Sequence, residues 1–179
     1  MNASKPCVTF VFGGGGSGKS EFAERLAASR SGHPLYLATA EHTDAEMDAR
    51  IARHRARRGD AWGCLEEPLD IASAIASADP SCDCILLECL STWLGNVLYR
   101  EGESAWEKRR AAFLDALRAP ARAIVVVGDE VGMGIVPATP LGRSFRDLNG
   151  RLNQEVAAIA DEVAFVAAGL PLWLKGLRQ

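Results

Sequence analysis

The sequence lacks both a long apolar run and a strong charge of one sign. Its 179 residues carry 20 Lys and Arg against 23 Asp and Glu, a net charge of −3. No apolar run approaches the roughly 20 residues that span a bilayer, and the first residues do not form a secretory signal. We therefore expect a cytoplasmic protein without a membrane span. The balanced charge gives no reason to expect a nucleic-acid partner.

Cysteine pairs at metal-binding spacing are also missing. The five cysteines are odd in number and contain no C-x-x-C pair: Cys7, Cys64, Cys82, Cys84 and Cys89. Cys82 and Cys84 have no second Cys or His pair at ligand spacing, which argues against a zinc site. Reduced thiols in a cytosolic protein are the simplest interpretation.

Strand-like and helix-like segments alternate along the chain. A loose tail over 1–6 precedes a single domain over 7–179. We predict strands over 7–12, 35–38, 85–88 and 123–127, with short final strands over 163–166 and 172–174 joined by a turn at 169–171. We predict helices over 21–28, 44–57, 69–78, 104–117 and 141–160, and one through Trp93. This alternation predicts an α/β fold with a mostly parallel central sheet flanked by helices, which binds ligands beyond the carboxyl ends of its strands.

The glycine-rich segment after the first predicted strand carries the strongest functional signal. It fits the P-loop pattern G-x-x-x-x-G-K-[ST] and consists of Gly13, Gly14, Gly15, Gly16, Ser17, Gly18, Lys19 and Ser20. The flanking strand and helix are the context that this motif requires. We expect backbone N–H groups to surround the phosphates of a nucleoside triphosphate. Lys19 would contact the β- and γ-phosphates, and the Ser20 hydroxyl would bind Mg²⁺.

A P-loop site also needs an acidic group near the metal. Glu88 ends an apolar strand, which is where such a carboxylate lies in P-loop enzymes. Asp129 and Glu130 follow the next predicted strand and are competing candidates. The sequence alone leaves this choice open.

An unusual cluster of arginines surrounds one histidine. His54 lies among Arg50, Arg53, Arg55, Arg57 and Arg58. Positive neighbours disfavour the imidazolium form, and neutral imidazole can act as a nucleophile. The same arginines could bind a polyphosphate. The segment alone is more typical of a solvated basic helix face, and a nucleic-acid contact is the next alternative. Together with the P-loop, it suggests attack of His54 on a nucleotide phosphorus.

A loop rich in glycine and proline follows the strand at 123–127. It runs from Gly132 to Pro137 and is followed by Arg143 and Arg146 at the start of a predicted helix. Both arginines are candidates for phosphate contacts.

The whole set of motifs resembles the bifunctional adenosylcobinamide kinase/adenosylcobinamide-phosphate guanylyltransferase family of cobalamin biosynthesis. The resemblance covers nearly the entire chain. Beyond the P-loop it rests on Tyr36 to Ala40, on Arg50, Ile51, His54, Arg58 and Trp62, and on Leu87 to Leu90. The segments Glu130 to Pro137, Leu141 to Asp147, Asn153-Gln154 and Ala160 to Val163 continue it.

The resemblance implies two reactions on a RecA-like P-loop fold. ATP or GTP phosphorylates adenosylcobinamide, and GTP then guanylylates a histidine that passes GMP to the cobinamide phosphate. His54 matches that histidine. The resemblance further implies a homo-oligomer, with a trimer as the expected assembly. Besides the P-loop, the residues that match the family's GTP contacts are Ala38, Thr39, Ala40, Arg55, Ala56, Arg57, Arg58, Glu66 and Glu88.

Two other functions are compatible with parts of the sequence. One is a small-molecule kinase with no covalent step. The other is a RecA-like nucleotide switch that binds nucleic acid through the arginine-rich segment. The guanine-recognition motif N-K-x-D is absent, so the preference for GTP rests on the resemblance alone.

Overall fold

The computed structural model describes residues 6–41 and 61–176, which form seven strands and five helices. The strands are β1 (Val8–Gly13), β2 (Pro34–Ala38), β3 (Gly63–Glu66), β4 (Cys84–Glu88), β5 (Ala123–Asp129), β6 (Glu162–Ala167) and β7 (Leu170–Lys175). The helices are α1 (Lys19–Arg30), α2 (Ile71–Ser77), α3 (Leu90–Arg100), α4 (Glu103–Arg118) and α5 (Pro140–Ile159).

The strands form one sheet in the order β3-β2-β4-β5-β1-β6-β7. Neighbouring strands from β3 to β6 are parallel, and β7 alone runs antiparallel, beside β6. The central strands β1, β4 and β5 are almost wholly buried, as apolar runs in a parallel sheet covered on both faces should be. The prediction of an α/β fold with a mostly parallel sheet is confirmed.

The helices divide unequally between the two faces of the sheet. Helix α1 packs one face through Ala23 and Ala27. The other face carries the larger core, to which α2 to α5 contribute. There the Trp93 ring lies 5.0 Å from the Trp106 ring and 5.2 Å from the Phe113 ring. Because these rings are fully buried, the two tryptophans are core residues rather than ligand platforms.

The sequence prediction missed β3 and misplaced one turn. Strand β3 is a short, exposed edge strand without an apolar alternation, so it gave no signal. The predicted turn at 169–171 is wrong, because Ala168 (φ 51°) and Gly169 (φ 77°) form it instead. Two consecutive positive φ angles suit a tight hairpin, and Pro171 then lies in the edge strand β7.

The predicted helix at 44–57 lies outside the described residues. Among the helices that are described, none is long and apolar enough to cross a bilayer.

The β6–β7 hairpin supports the loop that joins β1 to α1. Gly169 N–H donates to the Ser17 carbonyl at 2.8 Å. A Cβ atom on Gly18 would lie 3.0 Å from the Gly169 Cα, and one on Gly13 would lie 2.3 Å from the Val166 carbonyl oxygen. Glycine is therefore required here by close backbone packing as well as by conformation.

We expect Gly13→Ala to destabilise the protein and Gly15→Ala to leave its stability unchanged. The methyl group of an alanine at position 13 would overlap the Val166 carbonyl oxygen, a backbone atom that cannot rotate away. A Cβ at position 15 would have nothing within 4 Å. Overpacking of this kind costs about 1–3 kcal/mol. Urea unfolding of both variants measures the difference. Equal unfolding free energies for the two variants would contradict the packing argument.

Candidate functional site

The P-loop lies at the carboxyl end of β1 and opens directly into α1. Gly16 (φ 70°) and Gly18 (φ 88°) adopt left-handed conformations that turn the chain around a concave path. The Ser17 N–H donates to the Gly14 carbonyl at 3.2 Å, and the Phe22 N–H donates to the Gly18 carbonyl at 3.0 Å. A Cβ on Gly14, Gly15 or Gly16 would meet nothing within 4 Å, so this side of the loop has room for a bound anion.

The Lys19 side chain lies buried beneath the loop. Its Nζ is 2.5 Å from Asp129 Oδ1 and donates to the Gly14 carbonyl at 3.2 Å. The ammonium group therefore stays beside the loop that would hold the phosphates. The sequence prediction named Lys19 as a phosphate contact but did not foresee its carboxylate partner.

Asp129 is the last residue of β5 and has two further side-chain partners. Ser91 Oγ donates a short hydrogen bond to Asp129 Oδ2, and Cys89 Sγ lies 3.7 Å from the same oxygen. Burial raises the pKa of the Asp129 carboxyl, but hydrogen bonds from Lys19 and Ser91 and the charge of Lys19 outweigh it. The pKa therefore lies below its usual range, and the group is a carboxylate at neutral pH.

Ser20 and Glu88 meet at the same edge of the sheet. Ser20, near the start of α1, donates a short hydrogen bond from its hydroxyl to Glu88 Oε1 at the end of β4. A hydroxyl and a carboxylate side by side are the hard oxygen donors that Mg²⁺ prefers. Glu130 is used differently, since its carboxylate accepts from the N–H groups of Gly132 and Met133 at 2.5 and 3.1 Å. Of the three acidic candidates, only Glu88 contacts Ser20 among the described residues.

The strand ends bring other predicted residues to this edge. Ala38 is in register with both Glu66 and Glu88, so these carboxylates lie on either side of β2. Thr39 is fully buried, and its hydroxyl donates to the Cys89 carbonyl at 2.9 Å and accepts from the Cys89 N–H at 2.8 Å. Its side chain therefore joins two strand ends. Ala40 follows it and is half-buried.

The two arginines at the start of α5 make local contacts. Arg143 donates to the carbonyls of Pro137 and Ala138 at 3.0 and 2.8 Å, which holds the end of the glycine-rich loop against the helix. Arg146 pairs with its neighbour Asp147 at 3.0 Å. In this structure both guanidinium groups are engaged with their own segment rather than with the P-loop.

The predicted covalent residue lies outside the described part of the chain. His54 and the flanking Arg55, Ala56, Arg57 and Arg58 all fall between residues 42 and 60. Their proposed roles remain predictions from the sequence.

Two partners of Asp129 were missed at the sequence level. Ser91 lies three positions after Glu88. A hydroxyl so soon after the end of a buried strand weakly indicated a site residue. Asn149 gave another signal, because it and Asn153 are polar residues one turn apart on the apolar side of α5. Both asparagines donate to the Asp129 main-chain carbonyl.

We expect the Lys19–Asp129 pair to stabilise the fold in a pH-dependent way. Because the pKa of Asp129 is lowered in the folded state, its contribution is complete above the unfolded-state value of about 4 and is lost as the pH falls through the folded-state value. The difference in unfolding free energy between the wild type and Asp129→Asn should be largest at pH 5–7 and shrink below pH 4. Urea titrations across this range measure it. A constant difference would show that the charge of Asp129 does not contribute.

Comparison with known proteins identifies close full-length relatives. The chain is 42% identical over 166 residues to the bifunctional adenosylcobalamin biosynthesis protein CobP of Pseudomonas aeruginosa, covering 93% of this chain and 96% of that protein. It is 39% identical to the bifunctional adenosylcobalamin biosynthesis protein CobU of Escherichia coli K12, covering 94% and 99%. The CobU protein of Salmonella typhimurium LT2 is 38% identical, with the same coverage.

Solved structures with low sequence identity share the fold. The type III secretion ATPase EscN of enteropathogenic E. coli aligns with a TM-score of 0.55 at 12% identity, over 91% of this chain and 43% of that chain. Another type III secretion ATPase aligns with a TM-score of 0.50 at 12% identity, over 93% and 56%. The RecA-like P-loop fold that the resemblance implied is confirmed.

The chain also matches a protein family over most of its length. The family is described as cobinamide kinase / cobinamide phosphate guanyltransferase, and the match covers residues 9–174. This match and the full-length relatives confirm the predicted activity class and do not favour a single-function kinase or a nucleic-acid switch. The chain therefore belongs to the cobinamide kinase / cobinamide phosphate guanyltransferase family.

Proposed function

We propose that this chain carries out both reactions of its family with one P-loop nucleotide site. The observation that carries the proposal is the arrangement at one sheet edge, where Lys19, Ser20 and Glu88 surround an open glycine loop. The substrates would be GTP or ATP together with adenosylcobinamide and its phosphate. Both reactions transfer phosphorus groups, so both need the charge of the triphosphate to be neutralised and held in place.

In the kinase step, the aminopropanol hydroxyl of adenosylcobinamide attacks the γ-phosphorus. A new oxygen–phosphorus bond forms, the hydroxyl proton passes to solvent, the bond between the γ-phosphorus and the β–γ bridging oxygen breaks, and the nucleoside diphosphate leaves. The backbone N–H groups of residues 13–20 would hold the β-phosphate, and Lys19 would neutralise charge on the β- and γ-oxygens.

Mg²⁺ fits the pair of oxygen donors formed by Ser20 and Glu88. When bound, the ion neutralises charge on the phosphate oxygens. Ser20 would supply a hydroxyl oxygen from the start of α1. Glu88 would act from the end of β4, directly or by ordering a water molecule.

The guanylyl step uses the α-phosphorus of GTP instead. We assign the attack to His54, in accordance with the family resemblance and its arginine-rich surroundings. A nitrogen–phosphorus bond forms and pyrophosphate leaves. A phosphate oxygen of the cobinamide phosphate then displaces the imidazole, which gives adenosylcobinamide-GDP and free His54. Arg55, Arg57 and Arg58 would neutralise the polyphosphate during this exchange.

The remaining assignments concern the nucleotide and the assembly. The strand-end edge that would contact GTP consists of Ala38, Thr39, Ala40, Glu66 and Glu88. Arg143 and Arg146 would reach phosphates only after exchanging their local partners.

We also propose a cytoplasmic homo-oligomer, a trimer, of the single domain 7–179. Exposed apolar side chains after β5 support an assembly: Met133, Ile135, Val136 and Leu141.

Guanylylation is tested with GTP labelled at the α-phosphate in the absence of acceptor. We expect an acid-labile, base-stable label on the wild type, as a phosphoramidate on nitrogen gives, and none on His54→Ala, which lacks the proposed nucleophile. The matched control is His33→Ala, which changes an exposed histidine outside the arginine-rich segment 50–58 of the sequence. A label that persists in His54→Ala would defeat the assignment, and a label arising from the γ-phosphate would indicate a different reaction.

The metal assignment predicts a changed Mg²⁺ requirement. Ser20→Ala and Glu88→Gln should each raise the Mg²⁺ concentration for half-maximal transfer by roughly 10–100-fold, because each removes an oxygen from the metal's surroundings. Glu130→Gln should leave this concentration unchanged, because Glu130 contacts loop N–H groups. Kinase assays over a Mg²⁺ series measure all three. A larger effect at Glu130 than at Glu88 would reverse the assignment.

A further inference from the structure

Two buried asparagines on α5 converge on a single carbonyl oxygen. Asn149 and Asn153 lie one helical turn apart and are 0% and 7% exposed. Their Nδ2 atoms donate to the Asp129 carbonyl at 2.8 and 3.0 Å. A carbonyl oxygen has two lone pairs and accepts both bonds. The end of β5 is thus fixed from the helix side by two side chains.

Stability alone does not account for this pair. Asn149 Oδ1 and Asn153 Oδ1 are buried and have no hydrogen-bond partner within the described residues. Burying an amide oxygen without a partner costs free energy. The same helix face carries Leu152 and Val156, which pack into the core without this cost. We therefore explain the two buried amides by the Asp129 carbonyl, which they hold in place.

The residue that they hold is joined to the P-loop by its side chain. The Asp129 carboxylate lies 2.5 Å from Lys19 Nζ and accepts from Ser91. The next residue is fixed as well, because the Glu130 N–H donates to the Gly13 carbonyl at 3.0 Å. Asp129 is in register with Gly13 across β5 and β1. The main chain on both sides of the carboxylate is therefore constrained.

We propose that Asn149 and Asn153 are positioning residues that act through Asp129 to set the place of the Lys19 ammonium beneath the phosphate loop. The amides fix the Asp129 carbonyl, the carbonyl fixes the direction of the carboxylate, and the carboxylate holds Lys19. The functional part of this inference rests on the proposed kinase step. A misplacement of about 1 Å in such a group costs on the order of 10²-fold in rate.

The test is a double-mutant cycle between Asn149→Ala and Asp129→Asn. If the amide acts through the carboxylate, Asn149→Ala should lower the kcat of γ-phosphoryl transfer about tenfold in the wild-type background, with little change in KM for GTP. In the Asp129→Asn background the same substitution should change kcat less than about twofold. Asn153→Ala leaves one amide on the carbonyl and should show the same pattern in milder form.

A second readout does not depend on activity. Lysines are acetylated briefly with acetic anhydride and each site is quantified by mass spectrometry, with exposed Lys108 as the internal reference. Because the ion pair with Asp129 holds Lys19 Nζ in a buried position, labelling of Lys19 should rise several-fold in Asp129→Asn and in Asn149→Ala. The double variant should show no further rise. Labelling is measured under conditions where thermal unfolding shows each variant to be folded.

The matched control is Arg151→Ala, an exposed position on the same helix between the two asparagines. It should change neither kcat nor Lys19 labelling. Equal effects of Asn149→Ala in both backgrounds, in labelling as well as in kcat, would overturn the inference and leave the asparagines with a packing role. Coupled labelling in a protein that transfers no phosphate would instead support the positioning role and count against the proposed kinase step.

Discussion

The ion pair between Lys19 and Asp129 is the interaction on which the candidate site depends. It joins the loop after β1 to the end of the neighbouring strand β5, and it places a buried positive charge where a triphosphate would bind. A buried ammonium without a partner would be costly, so the carboxylate makes the site stable before any nucleotide arrives. Ser91 and the two asparagines of α5 complete the surroundings of Asp129, so three elements contribute to the place of one lysine.

Much of the fold was predictable because it follows from local patterns. The buried strands β1, β4 and β5 are apolar runs, and the P-loop motif specifies the strand, turn and helix around it. The family resemblance then gave the RecA-like fold and the activity class, which the comparisons confirm. Glu88 was one of three acidic candidates in the sequence, and the structure brings its carboxylate to the Ser20 hydroxyl.

The rest depended on contacts between residues far apart in the chain. Strand β3 has four mostly exposed residues, and its place is set by pairing with β2 rather than by its own sequence. The hairpin turn uses Ala168 with a positive φ, a conformation that alanine rarely signals. In the sequence, Asp129 was a competing candidate for the metal ligand. No local pattern shows that its carboxylate pairs with Lys19, 110 positions earlier in the chain. Thr39 was predicted as a nucleotide contact, and no local pattern showed that its hydroxyl bonds to the backbone of Cys89.

The support of the P-loop by the β6–β7 hairpin has a consequence for protein synthesis. The loop occupies residues 13–20, but the atoms that pack behind it belong to Val166 and Gly169. The ribosome adds residues in order, so the nucleotide-binding loop emerges well before the segment that supports it. The loop therefore reaches its final shape only after Val166 and Gly169 have been added. Until then the growing chain holds its phosphate-binding motif without the hairpin that supports it.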